Sequence, residues 1–379
     1  MYLHAITPGD HFSPRTGSAV PTVVDGLSRG GGPTSPPSGV LVARGTYEDR
    51  YDSADAIEYT PRSPLPFGRY VDAASSRLAL PRFSARRVLA AAVADQAGLE
   101  PSIVLAHNAV QLVRPVRSPH VPVLYAHNEL LRTYSRREAG RALDPAPVLV
   151  CVSRYIAQAT AARLPARLHE RLVVVPNGVD TTRTPSVPRS RGDRLHVVFV
   201  GRTIADKGPD LLVEAVRMLG RDDIAVTIVG ADGFAPDAPP TSYERDLRRT
   251  AEQVRGPVTF TGFMPRDGVH AVLATADLVV VPSRWPDPHP LTPLEGMAAG
   301  AAVIGADIGG IPEAIEDAGL LVPPGDARAI AGAIAALADD EGYLLAQQHS
   351  ALAHARRRDW STSRRRLDEV LAPVLPRHA

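Results

Sequence analysis

Ser283-Arg-Trp-Pro-Asp-Pro-His-Pro-Leu-Thr-Pro-Leu-Glu-Gly-Met-Ala-Ala-Gly300 is the stretch of sequence that says most about the fold. It places Asp287 in a proline-rich loop and Glu295 in the first turn of a predicted helix. The N-terminus of a helix presents free N–H groups and the positive end of the helix dipole, which suit a phosphate. A carboxylate on either side of such a helix end is a suitable arrangement for holding the two polar ends of a nucleotide sugar.

The composition indicates a globular protein of two domains. The 379 residues suffice for two cores, and 42 basic against 41 acidic residues give a net charge of +1, which predicts no nucleic-acid partner. The N-terminus lacks the pattern of a signal peptide, and no apolar run reaches about 18 residues. We therefore expect a cytoplasmic enzyme with no stable membrane insertion. Cys151 lies in an apolar run and is interpreted as a buried thiol rather than a nucleophile.

Apolar runs alternate with helical patterns along the chain, which favours α/β layers around parallel sheets. Strands are predicted at 3–6, 40–43, 103–106, 121–126, 148–152, 172–175, 196–200, 225–229, 258–261, 278–282 and 302–304. Helices are predicted at 19–29, 84–97, 154–164, 209–219, 243–254, 268–275, 293–299, 327–338 and 342–357. The segment 181–193 reads as a linker and 361–375 as an amphipathic terminal helix, while the arginines at 364–366 are expected on a solvated helix face.

The run Phe199-Val-Gly-Arg-Thr-Ile-Ala-Asp-Lys-Gly208 opens the second half of the chain with a strand that ends at Gly201. Ligands of α/β sheets bind at the carboxyl ends of strands, and a glycine there lets a ligand approach the backbone. Arg202 and Lys207 lie in one loop, so both side chains can converge on a pair of phosphates. The motif alone fits equally well two solvated cations, with Lys207 paired to Asp206, and both interpretations stay open here.

Thr292-Pro-Leu-Glu295 also fits a helix capping box with proline at the first helical position. In that interpretation Glu295 reaches back to the Thr292 N–H and stabilises the helix by about 1 kcal/mol. By its pattern alone, this stretch favours the cap over a ligand-binding role for Glu295.

Two His-Asn pairs follow predicted strands of the first half, namely His107-Asn108 and His127-Asn128. A polar residue just past a parallel strand faces the ligand-binding edge of the sheet, so the two pairs can line one wall. A histidine at a strand end is also commonly structural. We interpret His127 as functional and the other three residues as candidate contacts of an acceptor.

The loop after the first predicted strand contains three further candidates, Arg15, Gly17 and Ser18. Arg15 is a possible contact of a phosphate or an acceptor. The same loop fits an ordinary helix start with Ser18 as the N-cap.

Taken in order, these motifs resemble the pattern of the retaining glycosyltransferases of family 4. The matching positions are Gly201, Arg202, Lys207, Asp287 and Gly300. The resemblance implies the GT-B fold: α/β, with two Rossmann-like domains whose parallel sheets face a central cleft. It assigns 1–183, with a crossover helix at 359–379, to an acceptor-binding domain. The nucleotide-sugar-binding domain is then 194–358.

The resemblance also implies roles for the residues around the donor. Arg202 and Lys207 would neutralise the diphosphate, which would also meet the backbone N–H groups of Leu291 and Thr292. Glu295 would bind the ribose hydroxyls.

Other positions would surround the sugar and the base. Asp287 would contact the sugar hydroxyls, and His127 would lie near the donor sugar. Gly230, Phe263 and Met264 would lie in turns around the base. The sequence departs from the family pattern at Asp287, where glutamate is usual, at His289-Pro290, where Phe-Gly is usual, and at Ser18, where a second glycine is common.

The expected reaction is the transfer of a sugar, with retained anomeric configuration, from a nucleoside diphosphate sugar to a hydroxyl of a small-molecule or glycan acceptor. A UDP-sugar is the favoured donor. The chain contains no Asp-x-Asp signature and no zinc-type spacing of His and Cys, so no metal and no further cofactor are expected. The Ala-, Arg- and Pro-rich composition is typical of a bacterial gene. A nucleotide-sugar epimerase of similar fold and a non-catalytic relative stay open as alternatives.

Overall fold

A computed structural model describes residues 1–233 and 239–376 of the chain. These residues form two compact units. The first comprises Met1–Asn177 together with the C-terminal segment from Trp360, and the second comprises Gly178–Asp359. The segment 181–193, read as a linker, lies at the start of the second unit. The last three residues of the predicted crossover helix, 377–379, lie outside the described residues.

The first unit is built on a seven-stranded parallel sheet in the order β3-β2-β1-β4-β5-β6-β7. Its strands are β1 Tyr2–Ala5, β2 Ser38–Ala43, β3 Asp55–Tyr59, β4 Ile103–His107, β5 Val121–Ala126, β6 Leu149–Cys151 and β7 Leu172–Val174. Its helices are α1 Ala19–Arg29, α2 Gly68–Arg77, α3 Phe83–Leu89, α4 Arg136–Leu143, α5 Arg154–Ala161 and, from the C-terminus, α13 Trp360–Leu371. The central strand β4 is wholly buried, as its continuous apolar run requires.

The second unit repeats this plan with a six-stranded parallel sheet in the order β10-β9-β8-β11-β12-β13. Its strands are β8 Leu195–Val200, β9 Ile224–Val229, β10 Val258–Gly262, β11 Leu278–Val281, β12 Ala302–Ala306 and β13 Leu320–Val322. Its helices are α6 Pro209–Leu219, α7 Ser242–Ala251, α8 Arg266–Leu273, α9 Thr292–Ala298, α10 Ile311–Ile315, α11 Ala327–Asp339 and α12 Glu341–Arg357.

Both sheets have a point where the strand order reverses, between β1 and β4 in the first unit and between β8 and β11 in the second. Open α/β sheets bind ligands at this switch point, outside the carboxyl ends of the strands. The prediction of two Rossmann-like domains with parallel sheets is therefore confirmed, and the predicted cleft stays a prediction.

The sequence missed the elements that lack a continuous apolar run. The edge strand β3 exposes Asp55 and Glu58 and buries only Tyr59. Helix α2 is rich in Ser, Ala and Arg and buries only Gly68 and Ser75. The short elements α4, α10 and β13 were also missed, and the helix predicted at 84–97 is shorter, ending as α3 at Leu89 before two single turns.

The terminal helix α13 packs against α1 of the first unit. A Cβ built on Gly26 would lie 2.2 Å from the Trp360 indole, so this contact requires glycine. Arg364 is 1% exposed, and its Nη1 donates to the Leu27 carbonyl at 3.0 Å. The prediction of a solvated face was therefore wrong for Arg364, because the spacing of charges along a helix does not show which face packs against another helix.

Cys151 is buried at the end of β6, as predicted. Burial raises the pKa of its thiol to about 12, so the thiolate needed for nucleophilic chemistry is not populated near neutral pH. Among the described residues, no helix combines the length and the apolar character needed to cross a membrane.

Candidate functional site

Three glycines come together at the carboxyl ends of β8, β9 and β10. Gly201 donates its N–H to the Val229 carbonyl at 3.0 Å, and Gly230 donates to the Gly262 carbonyl at 2.9 Å. Gly230 has a φ of 128°, and a Cβ there would lie 1.9 Å from the Gly201 carbonyl oxygen. Backbone packs directly on backbone at this edge, and the absence of side chains on the three glycines lets a ligand approach the main chain closely.

Lys207 and Asp287 are joined through the loop after β8. The backbone N–H groups of Arg284 and Trp285 donate to the Asp206 carbonyl at 2.8 and 3.1 Å, which docks the proline-rich loop on the turn Ala205–Lys207. The Lys207 ammonium forms an ion pair with Asp287, whose side chain is 8% exposed. The pairing of Lys207 with Asp206 that the motif left open is therefore wrong, since Lys207 pairs with Asp287 and Asp206 uses its backbone carbonyl in this loop.

Two consecutive glycines after β12 fix the backbone of the same loop. The Gly310 N–H donates to the Asp287 carbonyl at 2.6 Å. A Cβ on Gly310 would lie 1.9 Å from the Pro288 carbonyl oxygen. The adjacent His289 is 5% exposed, and burial lowers the pKa of its imidazole to about 3. Sequence reasoning missed Gly309-Gly310, although a glycine pair in the turn that follows a buried strand is a recognisable signal of close backbone packing.

Arg202 takes a different partner from Lys207. Its Nε donates to the Asp232 carbonyl at 2.7 Å, and its guanidinium lies 3.6 Å from the Asp232 carboxylate. About half of the side chain is exposed. The convergence of Arg202 and Lys207 on one diphosphate stays a prediction.

Helix α9 begins at Thr292, beside the end of β8. The Thr292 hydroxyl donates to the Val200 carbonyl at 3.3 Å, which ties the first turn of the helix to the edge of the sheet. Glu295 forms an ion pair with Arg266 on α8 rather than reaching back to the Thr292 N–H. The capping-box interpretation is therefore wrong, and Arg266 is a neighbour of Glu295 that sequence reasoning did not find.

The remaining donor-side candidates lie close to these elements. Leu291 is the residue before the first turn of α9. Phe263 and Met264 follow β10 and are half-buried, with Met264 packed on the backbone near Gly268. Their predicted contacts with a diphosphate or a base stay predictions.

The first unit also collects polar side chains at the carboxyl ends of its central strands. Nδ1 of His107 lies 2.7 Å from Nε2 of His127, so the structure joins the two His-Asn pairs. Asn108 has a φ of 53°, and its side-chain oxygen accepts the His127 N–H at 2.8 Å. His127 is 8% exposed, and burial lowers its pKa to about 3, which keeps the ring neutral.

His107 differs from its predicted role. It is 0% exposed and its second ring nitrogen bonds to His4, a residue that sequence reasoning missed. It therefore does not present a surface to an acceptor, because the rings of His4, Tyr125 and His127 stack against it. An alternating polar position inside the apolar strand Tyr2–Ala5 was the available signal for His4.

The other first-unit candidates lie at the surface. Arg15 pairs with Asp49 at 2.8 Å, and both side chains are at least half exposed. Gly17 precedes Ser18, which is the N-cap residue of α1. Asn128 is exposed beside His127. Contacts of these residues with an acceptor stay predictions.

Comparison with known proteins follows the division into two units. Residues 194–340 match the family model described as glycosyl transferases group 1. Residues 40–183 match the model described as glycosyltransferase family 4.

Two curated relatives illustrate the similarity in sequence. A D-inositol 3-phosphate glycosyltransferase of Corynebacterium aurimucosum is 31% identical over 223 residues, which cover 54% of this chain and 52% of that protein. A lipopolysaccharide 1,2-N-acetylglucosaminetransferase of Salmonella typhimurium is 26% identical over 290 residues, covering 72% and 73%. The chain thus spans about half the length of the Corynebacterium relative that it matches.

Solved structures extend the likeness in fold to nearly the whole chain. HepE of Anabaena in complex with UDP superposes with a TM-score of 0.73 at 19% identity, covering 98% of this chain and all of that one. The trehalose-6-phosphate synthase OtsA gives a TM-score of 0.73 at 14% identity over the full length of both chains. With both sheets in Rossmann-like order and both halves matched by glycosyltransferase family models, this chain belongs to the family 4 glycosyltransferases of the GT-B fold.

Proposed function

We propose that the chain is a retaining glycosyltransferase that moves a sugar from a nucleoside diphosphate sugar to a hydroxyl of a small-molecule or glycan acceptor. The observation that carries the proposal is the grouping at the switch point of the second sheet. The Lys207–Asp287 pair and the first turn of α9 lie in the segments that follow β8 and β11, and the glycine turns lie beside them at the carboxyl ends of β8, β9 and β10.

In this proposal different residues bind the sugar end and the nucleoside end of the nucleotide sugar. An ammonium has three N–H donors, so Lys207 can hold Asp287 with one and a phosphate oxygen with another. The carboxylate of Asp287 then accepts hydrogen bonds from sugar hydroxyls beside the diphosphate. Glu295 accepts from the ribose hydroxyls while its charge stays balanced by Arg266.

The chemical step in this proposal needs stabilisation of the departing diphosphate more than a nucleophile. The bond from the anomeric carbon to the diphosphate oxygen breaks, and the acceptor hydroxyl oxygen bonds to that carbon on the same face. The acceptor proton passes to the departing diphosphate. Fixed donors directed at developing negative charge contribute about 3–4 kcal/mol each in enzymes. Lys207, Arg202 and the N–H groups at the start of α9 are assigned this role, with no metal ion.

A UDP-sugar is the favoured donor. The similar structure of HepE has been solved with UDP and with UDP-glucose, although its likeness to this chain shows the fold alone. The base and the sugar are best identified by a thermal-shift screen of nucleoside diphosphates and their sugars, because a tight ligand raises the unfolding temperature by mass action.

Turnover then tests the reaction class. We expect the wild-type protein to hydrolyse slowly the nucleotide sugar that raises its unfolding temperature in the screen. The Arg202→Ala variant should not hydrolyse it. Interconversion of the sugar without acceptor or hydrolysis would instead indicate an epimerase. Binding without any turnover would indicate a non-catalytic relative. A trapped covalent glycosyl-enzyme would contradict direct attack of the acceptor on the face of the sugar from which the diphosphate leaves.

A further inference from the structure

Three histidine rings form a hydrogen-bonded chain across the central strands of the first unit. His4 lies on β1, His107 ends β4 and His127 follows β5. Nδ1 of His4 lies 2.9 Å from Nε2 of His107, and Nδ1 of His107 lies 2.7 Å from Nε2 of His127. Because β4 pairs with both β1 and β5, the sheet brings these distant residues side by side.

The three rings are neutral. Burial is the largest effect on each, and it lowers the pKa of His4 and His127 to about 3 and that of His107 well below its usual value. The Arg364 guanidinium lowers the pKa of His4 further. Tyr125 stacks on both His107 and His127.

Counting the ring N–H groups leaves two possible sets of tautomers for the three histidines. A neutral imidazole has one N–H and one acceptor nitrogen, so three rings hold three N–H groups. Two of them fill the two ring-to-ring bonds. The third lies at one end of the chain, either on Nε2 of His4 or on Nδ1 of His127. In the first case all three rings are Nε2–H tautomers, and in the second all three are Nδ1–H tautomers.

The surroundings of the two ends decide between these arrangements. His4 is 0% exposed, and its Nε2 has no hydrogen-bond partner in the described part of the chain. An N–H at that position would be an orphaned buried donor, which proteins avoid more strongly than an unused acceptor. The N–H on Nδ1 of His127 lies instead on the ring with the greater exposure, at the ligand-binding edge of the sheet.

We propose that His4 and His107 are positioning residues that hold His127 as the Nδ1–H tautomer, so that His127 offers a hydrogen-bond donor to an oxygen of the bound substrate. Because Nε2 of His4 has no partner, His4 donates from Nδ1 to Nε2 of His107. His107 then donates from Nδ1 to Nε2 of His127, which leaves the hydrogen of His127 on its Nδ1. This inference rests on the proposed function only for the identity of that oxygen, which is a hydroxyl of the donor sugar.

The tautomer limits what His127 can do in the reaction. Nδ1 already carries a hydrogen and Nε2 is engaged by His107, so the ring has no nitrogen free to take the proton of an acceptor hydroxyl. That proton then passes to the departing diphosphate, as the proposed attack on the same face of the sugar requires.

Nitrogen-15 NMR of the full chain labelled on histidine tests the tautomers directly. Long-range proton–nitrogen couplings distinguish Nδ1–H from Nε2–H rings, and single substitutions assign the signals. We expect His4, His107 and His127 all as Nδ1–H forms. An Nε2–H form of His127, or a charged ring at neutral pH, would overturn the proposal.

A matched pair of variants tests the positioning role. In His107→Asn the amide nitrogen replaces Nδ1 and can still donate to His127, whereas His107→Leu has the same shape without a donor. We expect the asparagine variant to keep His127 as Nδ1–H and the leucine variant to populate the Nε2–H form. The KM for the nucleotide sugar should rise roughly tenfold in the leucine variant and recover in the asparagine variant. His349→Leu, at an exposed histidine of α12, is the control.

The two readouts separate this inference from the proposed function. If no nucleotide sugar is turned over, the NMR spectrum still decides the tautomer of His127. If the leucine variant keeps the Nδ1–H form, His107 is not a positioning residue, whatever the activity.

Discussion

Lys207 and Asp287 are the pair of residues on which the proposed donor site depends. They are 80 positions apart, and each belongs to a loop that backbone hydrogen bonds hold in place, so their ion pair is preorganised. Preorganised charge is what distinguishes a site that stabilises a departing anion from a pair of surface residues.

Replacing Lys207 by alanine should remove this stabilisation. We expect Lys207→Ala to lower kcat by about 10²–10³ and to weaken the thermal shift caused by the nucleoside diphosphate. Arg249→Ala, on an exposed face of α7, is the matched loss of a cation and should leave both unchanged. Normal turnover by Lys207→Ala would refute the assignment of the diphosphate site.

The glycine at position 230 is required by backbone contact. We expect Gly230→Ala to lower the free energy of unfolding by about 1–3 kcal/mol, because the new Cβ strains a left-handed residue against the Gly201 carbonyl. Gly332→Ala, on the exposed side of α11 with open space around it, should instead stabilise the protein by about 1 kcal/mol. Urea denaturation measures the free energy of unfolding of both variants. Equal changes in the two variants would contradict the close contact between residue 230 and the Gly201 carbonyl.

At the scale of secondary-structure elements, the attachment of α13 to α1 rests on a buried arginine. Besides the Leu27 carbonyl, Arg364 donates to Ser38 at 3.1 Å and pairs with Asp368 at 2.8 Å. Removing the guanidinium would leave the Leu27 carbonyl, the Ser38 hydroxyl and the Asp368 carboxylate without this donor.

Arg364→Met should therefore destabilise the first unit by about 3 kcal/mol, since it leaves buried acceptors unsatisfied. Arg366→Met changes a half-exposed side chain two positions away and should cost less than about 0.5 kcal/mol. The urea midpoints of the two variants decide the matter, and similar midpoints would show that Arg364 does not hold the helix.

At the scale of the whole molecule, histidines with lowered pKa values link stability to pH. The group comprises His4, His107, His127, His270, His289 and His354, and burial is the main cause in each case. The unfolded chain binds protons at these positions below about pH 6.5, whereas the folded chain does not until lower pH.

Stability should therefore fall as the pH is lowered from about 6.5 toward 3, by up to about 1.4 kcal/mol per pH unit for each histidine. We expect the urea midpoint to be constant between pH 7 and 8 and to drop clearly between pH 6.5 and 5, above the range in which ordinary carboxylates titrate. A midpoint that stays level down to pH 5 would contradict the neutral state of these rings.

The amino-acid sequence alone determined the class of the fold and pointed to the loops that carry several candidate site residues. Continuous apolar runs specify parallel strands through local packing, and a glycine such as Gly201 at a strand end specifies a close backbone approach. For this reason most strands of both sheets, the loops that carry Lys207 and Asp287, and the helix that carries Glu295 could be predicted from nearby residues.

Only the tertiary structure decided which side chains meet. The partner of Lys207 is 80 residues away, that of Glu295 is Arg266 on a different helix, and His4 lies 103 residues from His107. Strand order places these residues together, and strand order follows from the packing of the whole unit rather than from any local pattern. The same reason explains why Arg364 is buried although its segment resembles a solvated helix.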